Sequence, residues 1–348
     1  MEDKRIIKIW VQIVLAGVLM GTPFLLLAYE PSTTHKALTQ EMIVLFNHYH
    51  PDHVLSIKEK GLVMQGSVDE DTGLRPMHHF YDPVNNKGIT VGGEWLHAKA
   101  WAEDTLAQAA WDPLFQEKLY GNILGYFSSD TDFSWDRAIY EYAWGDKERG
   151  LKTLGHILHL IEDMAVPDHT RDDPHPPYAD SVFHQASSYE HWADKWNTDT
   201  FALAGALILN HHVPLYCVSL GSCFDSMANY SNNNFFSKDT ILKDYSSPII
   251  SFKKSEQLSD GIIRSFGYFQ NNNGETHRVV RIEKKAGQVE ILYSIEDKDN
   301  LILNDYWTYL SRQAVLHGAG GIKLFFDEVE KERQSKLLYE KNRSWLAK

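Results

Sequence analysis

The chain has 348 residues, of which 43% are hydrophobic and 12% aromatic. That apolar mass excludes a disordered chain, and the length accommodates one large domain or two modest ones. The formal net charge of −13 argues against a broadly basic, nucleic-acid-wrapping surface.

The N-terminus carries Lys4, Arg5 and Lys8, followed by IWVQIVLAGVLMGTPFLLLA, in which Gln12 is the only strongly polar residue. A basic segment before an apolar run is the pattern of an export signal. Cleavage after Ala28 would leave a mature chain of 29–348; the run is also long enough for an uncleaved membrane anchor. STTHKALTQEMIVLFNHYH, from Ser32, predicts a helix capped by Ser32, Thr33 or Thr34, with apolar residues at 38, 42, 45 and 46. The Gly-, Asp- and Asn-containing stretch 65–88 reads as a long loop with turns. Residues 93–125 read as helical. Residues 136–164 read as one or two helices with a break at Gly145, stopped by Pro167.

The stretch TRDDPHPPYADSVFHQ is loop-like, and YEHWADKWNTDTFALAGALIL returns to a helical pattern. Residues 217–275 look less regular, with turn-rich NYSNNNFF and FQNNNGE. Cys217 and Cys223, the only two cysteines, are either a small-loop disulfide or buried free thiols. Two alternating runs around Ala286-Gly287 make 276–295 the best hairpin candidate, and 302–333 is again helical. The fold class is therefore mainly α: a single helical domain with long loops and a small β-hairpin region.

The chemistry concentrates in GHILHLIEDMAVPDH, 155–169. His159 and Asp163 are four apart and share a helix face, about 5–6 Å between Cβ atoms. Imidazole and carboxylate are both good zinc ligands, and the turn at Pro167 can bring His169 back toward the same place. Packing with incidental hydrogen bonds explains an isolated His-x3-Asp equally well. Further donors occur in separated segments: His35, the VDED acids, His78 and His79 in MHHFYDP, and Glu190 in YEHW. Donors from so many segments suggest more than one metal ion. No G-x-G-x-x-G or Walker A pattern occurs, so nothing points to a dinucleotide enzyme or kinase.

The ordered set STTHKALT, GSVDED, HHFYDP, GHILHLIEDMAVPDHT and YEHW resembles the zinc-dependent phospholipases C, within the phospholipase C/P1 nuclease-like group. The resemblance covers roughly 29–200 and weakens toward about 330. It implies a helical fold and up to three zinc ions. One zinc would take His79, His159, Asp163 and an acid of GSVDED, with Asp69 chosen as ligand and catalytic water-orienting group and Asp71 close behind. A second would take His35, a bridging Asp163, and the free amine and carbonyl of the first mature residue, here Tyr29. A third would take His169, Glu190 and one more histidine, His175 or His184. The family places that last histidine four residues before the glutamate, where this chain has Ala186. His156 is expected in packing or behind the ligands.

The implied activity is zinc-dependent hydrolysis of phosphodiesters, most simply phospholipase C-type headgroup cleavage by an exported enzyme acting at a membrane surface. Two alternatives remain: a P1/S1-like nuclease with nucleic acid as substrate, and an exported metal-binding structural or interaction protein without activity. No protein partner is implied. His53, Glu94 and His97, and the aromatics Trp95, Trp101, Phe133 and Trp135, are candidates for a pocket, with ordinary packing as the alternative reading.

Overall fold

The computed structural model describes residues 31–112, 125–174, 187–271, 273–284 and 291–346. A wide π-helical turn, Pro31–His35, leads into α1, Lys36–Tyr49. The expected hydroxyl cap is absent. Thr33 and Thr34 instead donate to the carbonyls of Asp194 (3.2 Å) and Ala193 (3.0 Å), tying the start of α1 to a segment far along the chain. The next helix, α2, Ile57–Asp69, lies partly where the sequence suggested a loop. It opens with a reciprocal capping box between Ser56 and Glu59, which satisfies two amides its first turn would leave orphaned.

The helical run expected over 93–125 resolves into α3, Ala98–Glu103, and α4, Thr105–Ala109, up to the last described residue there, Asp112. Asp104 divides them because its carboxylate accepts from Leu106 N (3.0 Å) and Ala107 N (2.9 Å), making it a cap rather than an interior residue. Then come α5, Trp135–Trp144, a break at Gly145 as expected, and α6, Lys147–Asp163, capped by Asp146. Short helices α7, Ser188–Ala193, and α8, Ala204–Leu209, precede α9, Leu220–Asn234. The NYSNNN stretch is the end of α9, not a surface turn. Leu220, Cys223, Phe224, Met227, Ala228 and Ser231 are buried at helical spacing. Cys217 and Cys223 are joined by a disulfide just before and within that helix.

The hairpin region is larger than expected. Strands β1, Phe252–Gln257, β2, Ile263–Gln270, β3, Thr276–Lys284, and β4, Ile291–Ser294, form one antiparallel meander in the order β1-β2-β3-β4. The chain closes with α10, Leu301–Ser335, and α11, Leu337–Leu346. α10 packs across α1, α5 and β3, so it joins the helical body to the sheet. Among the described residues, no helix is long and apolar enough to cross a membrane. The expected signal or anchor, 1–28, lies outside the described residues.

α6 is the axis of the helical body. Every residue from Thr153 to Asp163 is buried, so its last turns have no solvent face. It meets α2 through glycine. A Cβ on Gly155 would stand 2.0 Å from Val63 O, and one on Gly66 would stand 1.9 Å from Lys152 O. The two backbones therefore touch, which brings the end of α2 onto the end of α6.

Candidate metal centre

The end of α6 presents His159 and Asp163 one turn apart, both fully buried. A helix C-terminus carries partial negative charge from its free carbonyls, which favours a cation there. Three other segments converge on it. The α2 contact supplies Ser67 and, just past its end, Asp71. The short helical turn Arg75–His78 is followed by His79. The start of α1 supplies His35, whose ring stacks on His159 with centroids 3.7 Å apart.

The His79 and His159 rings each face Asp71 and Asp163. His79 Nδ1 lies 3.5 Å from Asp71 Oδ1 and 3.0 Å from Asp163 Oδ2. His159 Nε2 lies 3.6 Å from Asp71 Oδ1, 3.4 Å from Asp163 Oδ2 and 3.4 Å from His79 Nδ1. Donor atoms about 3.4 Å apart leave room for an ion at ~2.1 Å, the length of a zinc bond to imidazole nitrogen or carboxylate oxygen, and Asp71, His79 and His159 form one group able to hold a metal ion. Both oxygens of Asp71 and of Asp163 are buried without a hydrogen bond. Buried carboxylate oxygens left so are costly unless a cation or another donor serves them. The donor set thus fits a divalent metal ion.

The ring orientations fit as well. His159 Nδ1 donates to the Ser67 carbonyl at 2.7 Å. A carbonyl only accepts, so Nδ1 carries the hydrogen and Nε2 offers its lone pair to the donor set. His169 Nδ1 likewise donates to the His79 carbonyl at 3.2 Å, and its Nε2 faces Glu190 Oε1 at 3.1 Å. Asp163 has two sides: Oδ2 faces His79 and His159, while Oδ1 faces His35 Nε2 at 3.5 Å and His169 Nδ1 at 3.7 Å. His35, His159 and Asp163 form a second group able to hold a metal ion.

As bare side chains these groups polarise one another. Burial pulls His79 down, but Asp163 and Glu70 outweigh it and raise the ring to about 9. His159 is likewise pulled down by burial yet held well above its ordinary value by Asp71 and Asp163. Burial alone would raise Asp163, but the surrounding histidines hold it well below the usual carboxylate range. Asp71 is raised, chiefly by burial, against the pull of His159. Protonated imidazoles here supply the positive charge that the carboxylates require and a metal ion would replace.

The structure brings together His35, His79, His159, Asp163, His169 and Glu190. Asp69 stands apart. As the last residue of α2 it points to the outer side of α6, pairing with Lys152 at 2.5 Å and accepting from Gln65 at 2.6 Å. Two residues later the chain has left the helix and turned inward, so Asp71 takes the place expected of Asp69. Tyr29, His175 and His184 lie outside the described residues.

Two buried acids, Glu70 and Glu162, were not singled out in the sequence. Glu70 accepts from His156 Nδ1 (2.5 Å), Arg75 Nε (2.8 Å) and Trp101 Nε1 (3.2 Å), and stands 3.8 Å from His79 Nε2. His156 is therefore behind the donors, as expected, with Phe133 stacked on it. Glu162 contacts His35 Nδ1 at 2.6 Å and accepts from Thr39 at 2.7 Å. The available signal was its position in a mostly apolar helical stretch, between Leu160-Ile161 and Met164-Ala165-Val166, with Asp163 beside it. His53 and Glu94 are exposed, and His97 caps α3 by accepting from Ala100 N. Trp101 and Trp135 are buried in the core.

No family model matches the chain, and no curated protein or solved structure matches it either.

Proposed function

We propose that the protein is a zinc-dependent phosphodiester hydrolase of the phospholipase C type, built on a phospholipase C/P1 nuclease-like helical domain over 29–348 and exported by the segment 1–28. The observation that carries this reading is the convergence of Asp71 and Asp163 on the rings of His79 and His159, with facing His and Asp atoms 3.0–3.6 Å apart. The motif order supports the phospholipase reading over other uses of such a centre.

Zinc, when bound, supplies Lewis acidity: it acidifies water and offsets charge that develops on a phosphate. The chain's own groups do the rest. Asp71, His79 and His159, with Asp163 beside both histidines, would hold one ion. His35 and the second oxygen of Asp163 supply donors for another, and His169 with Glu190 for a third. Asp71 Oδ2 makes no hydrogen bond, so it replaces Asp69 as the group that orients an attacking water and accepts its proton. The Ser67 and His79 carbonyls keep the imidazoles of His159 and His169 in the tautomer that presents Nε2.

The deciding experiment assays purified protein against phosphatidylcholine analogues and single-stranded DNA, with EDTA and with restored zinc. Zinc-dependent headgroup release is expected. Zinc-dependent DNA cleavage without lipid turnover would replace the substrate, and zinc binding without either activity would favour a structural protein. His159→Ala should lose at least one zinc per chain by elemental analysis; unchanged content would remove the site itself.

A further inference from the structure

The four histidines of the centre are not held alike. His159 and His169 are anchored through Nδ1 by backbone carbonyls. His79 has its nearest outer carboxylate, Glu70, at 3.8 Å, beyond a hydrogen bond. His169 Nε2 meets Glu190, itself a proposed donor, at 3.1 Å, whereas His35 Nδ1 meets a carboxylate outside the proposed ligands: Glu162 Oε2, at 2.6 Å.

Glu162 is itself fixed. It is fully buried, its Oε1 accepts from Thr39 at 2.7 Å, and its Oε2 is 3.5 Å from Ser67 Oγ. Glu70 has the Arg75 guanidinium as counter-charge at 2.7 Å. Among the described residues, Glu162 meets hydroxyls and His35 but no Lys or Arg. Ser67 serves both rings of the stacked pair, its carbonyl on His159 and its hydroxyl on the carboxylate behind His35.

We propose that Glu162 is the positioning residue for a metal ion held by His35 and Asp163, fixing the ring of His35 and making its outward nitrogen a stronger donor. The inference rests on the reading of the cluster as a metal centre. The 2.6 Å contact between Glu162 Oε2 and His35 Nδ1 requires a hydrogen on one of the two atoms. Only with that hydrogen on Nδ1 does Nε2, 3.5 Å from Asp163 Oδ1, have a lone pair for a cation. A carboxylate at Nδ1 favours that tautomer and pushes electron density toward Nε2. Loss of such an outer partner typically weakens metal binding 10–100-fold. Glu162 makes its hydrogen bonds and ion pair with His35, Thr39 and Ser67 and not with Asp71, His79 or His159, so an ion held by those three should be weakened much less.

The test uses the full protein with zinc as the probe. Wild type and Glu162→Gln are titrated against a chelator of known affinity, with stoichiometry from elemental analysis. Gln keeps the shape and an acceptor but removes the charge. The expected result is that one ion per chain weakens 10–100-fold in Glu162→Gln while another is weakened much less. Cobalt substitution gives an independent readout, because a changed donor at one site alters part of the visible spectrum and leaves the rest. Equal affinity and an unchanged cobalt spectrum in Glu162→Gln would overturn the role of Glu162 while leaving the metal centre standing. A wild type that binds no zinc would overturn both. Thr39→Val, which removes only the hydroxyl bond to Glu162, should weaken the same ion by a smaller factor; no change at that ion would count against the positioning role.

Discussion

At the scale of single residues, the difference between Asp69 and Asp71 is a matter of where a helix ends. Both acids belong to one short motif, and composition cannot separate them. Asp69 is still helical and reaches Lys152, with its side chain 29% exposed; Asp71 is past the end and has lost all but 2% of its exposure. An ion pair at that exposure contributes at most about 1 kcal/mol. Asp69→Asn should therefore leave zinc content and turnover near wild type, with melting shifted by a degree or two at most. Asp71→Asn should remove a donor oxygen facing two imidazoles, and zinc content and hydrolysis should fall together, turnover by about 100-fold or more. Measuring both variants side by side decides the assignment; equal losses would return Asp69 to the site.

At the scale of elements, the crossing of α2 and α6 is what builds the centre. Ser67 reaches His159 because Gly66 and Gly155 let two helix backbones touch. Gly155→Ala sets two effects against each other. Alanine favours the helix by ~1 kcal/mol, but its Cβ would lie 2.0 Å from Val63 O and 2.8 Å from Ser67 N. Overpacking of this kind costs about 1–3 kcal/mol, and here the obstacle is backbone rather than a movable side chain. The variant should melt lower and bind zinc more weakly, because Ser67 is displaced from His159. A Gly155→Ala protein with wild-type melting and zinc affinity would show that the helices can part freely.

The same crossing explains what could be read in the sequence. α6 and α10 were legible because apolar periodicity runs through them, and the break at Gly145 is visible as glycine between two periodic runs. α2 was not, because it buries only Val63, Met64, Gly66 and Ser67. A contact made by glycine backbone leaves no hydrophobic stripe. α9 was hidden behind its asparagines, although its buried positions keep helical spacing. Strands β1 and β2 lack clean alternation, since β1 is exposed at all but one position. His159, Asp163 and His169 were legible from spacing on one helix and its turn. Glu162 and Glu70 were not, because their partners His35 and His156 lie far away along the chain.

At the scale of the whole molecule, the centre stores unfavourable burial that a bound cation would relieve. Asp71, Asp163, Glu70, Glu162 and Glu190 are all buried around four histidines. An ion that binds only the folded chain adds stability by mass action, ~4 kcal/mol per site when free zinc stands a thousandfold above Kd. For a chain of this size that corresponds to a rise of roughly 5–10 °C in melting temperature. Calorimetry with EDTA and then with excess zinc should show the gain, and His159→Ala should lose most of it. Identical melting in both conditions would mean that zinc does not discriminate the folded state.

The latch at the start of α1 gives the centre a place in time as well as in space. Thr33 and Thr34 fasten His35 to the carbonyls of Asp194 and Ala193, just beyond Glu190. The donors therefore run from near the first described residue to past the middle of the chain, and the two ends of that span close on each other. A fragment that ends before residue 193 lacks the carbonyls that hold the start of α1, and with it His35. A metal site that uses His35 would therefore be completed only once the chain has passed residue 194.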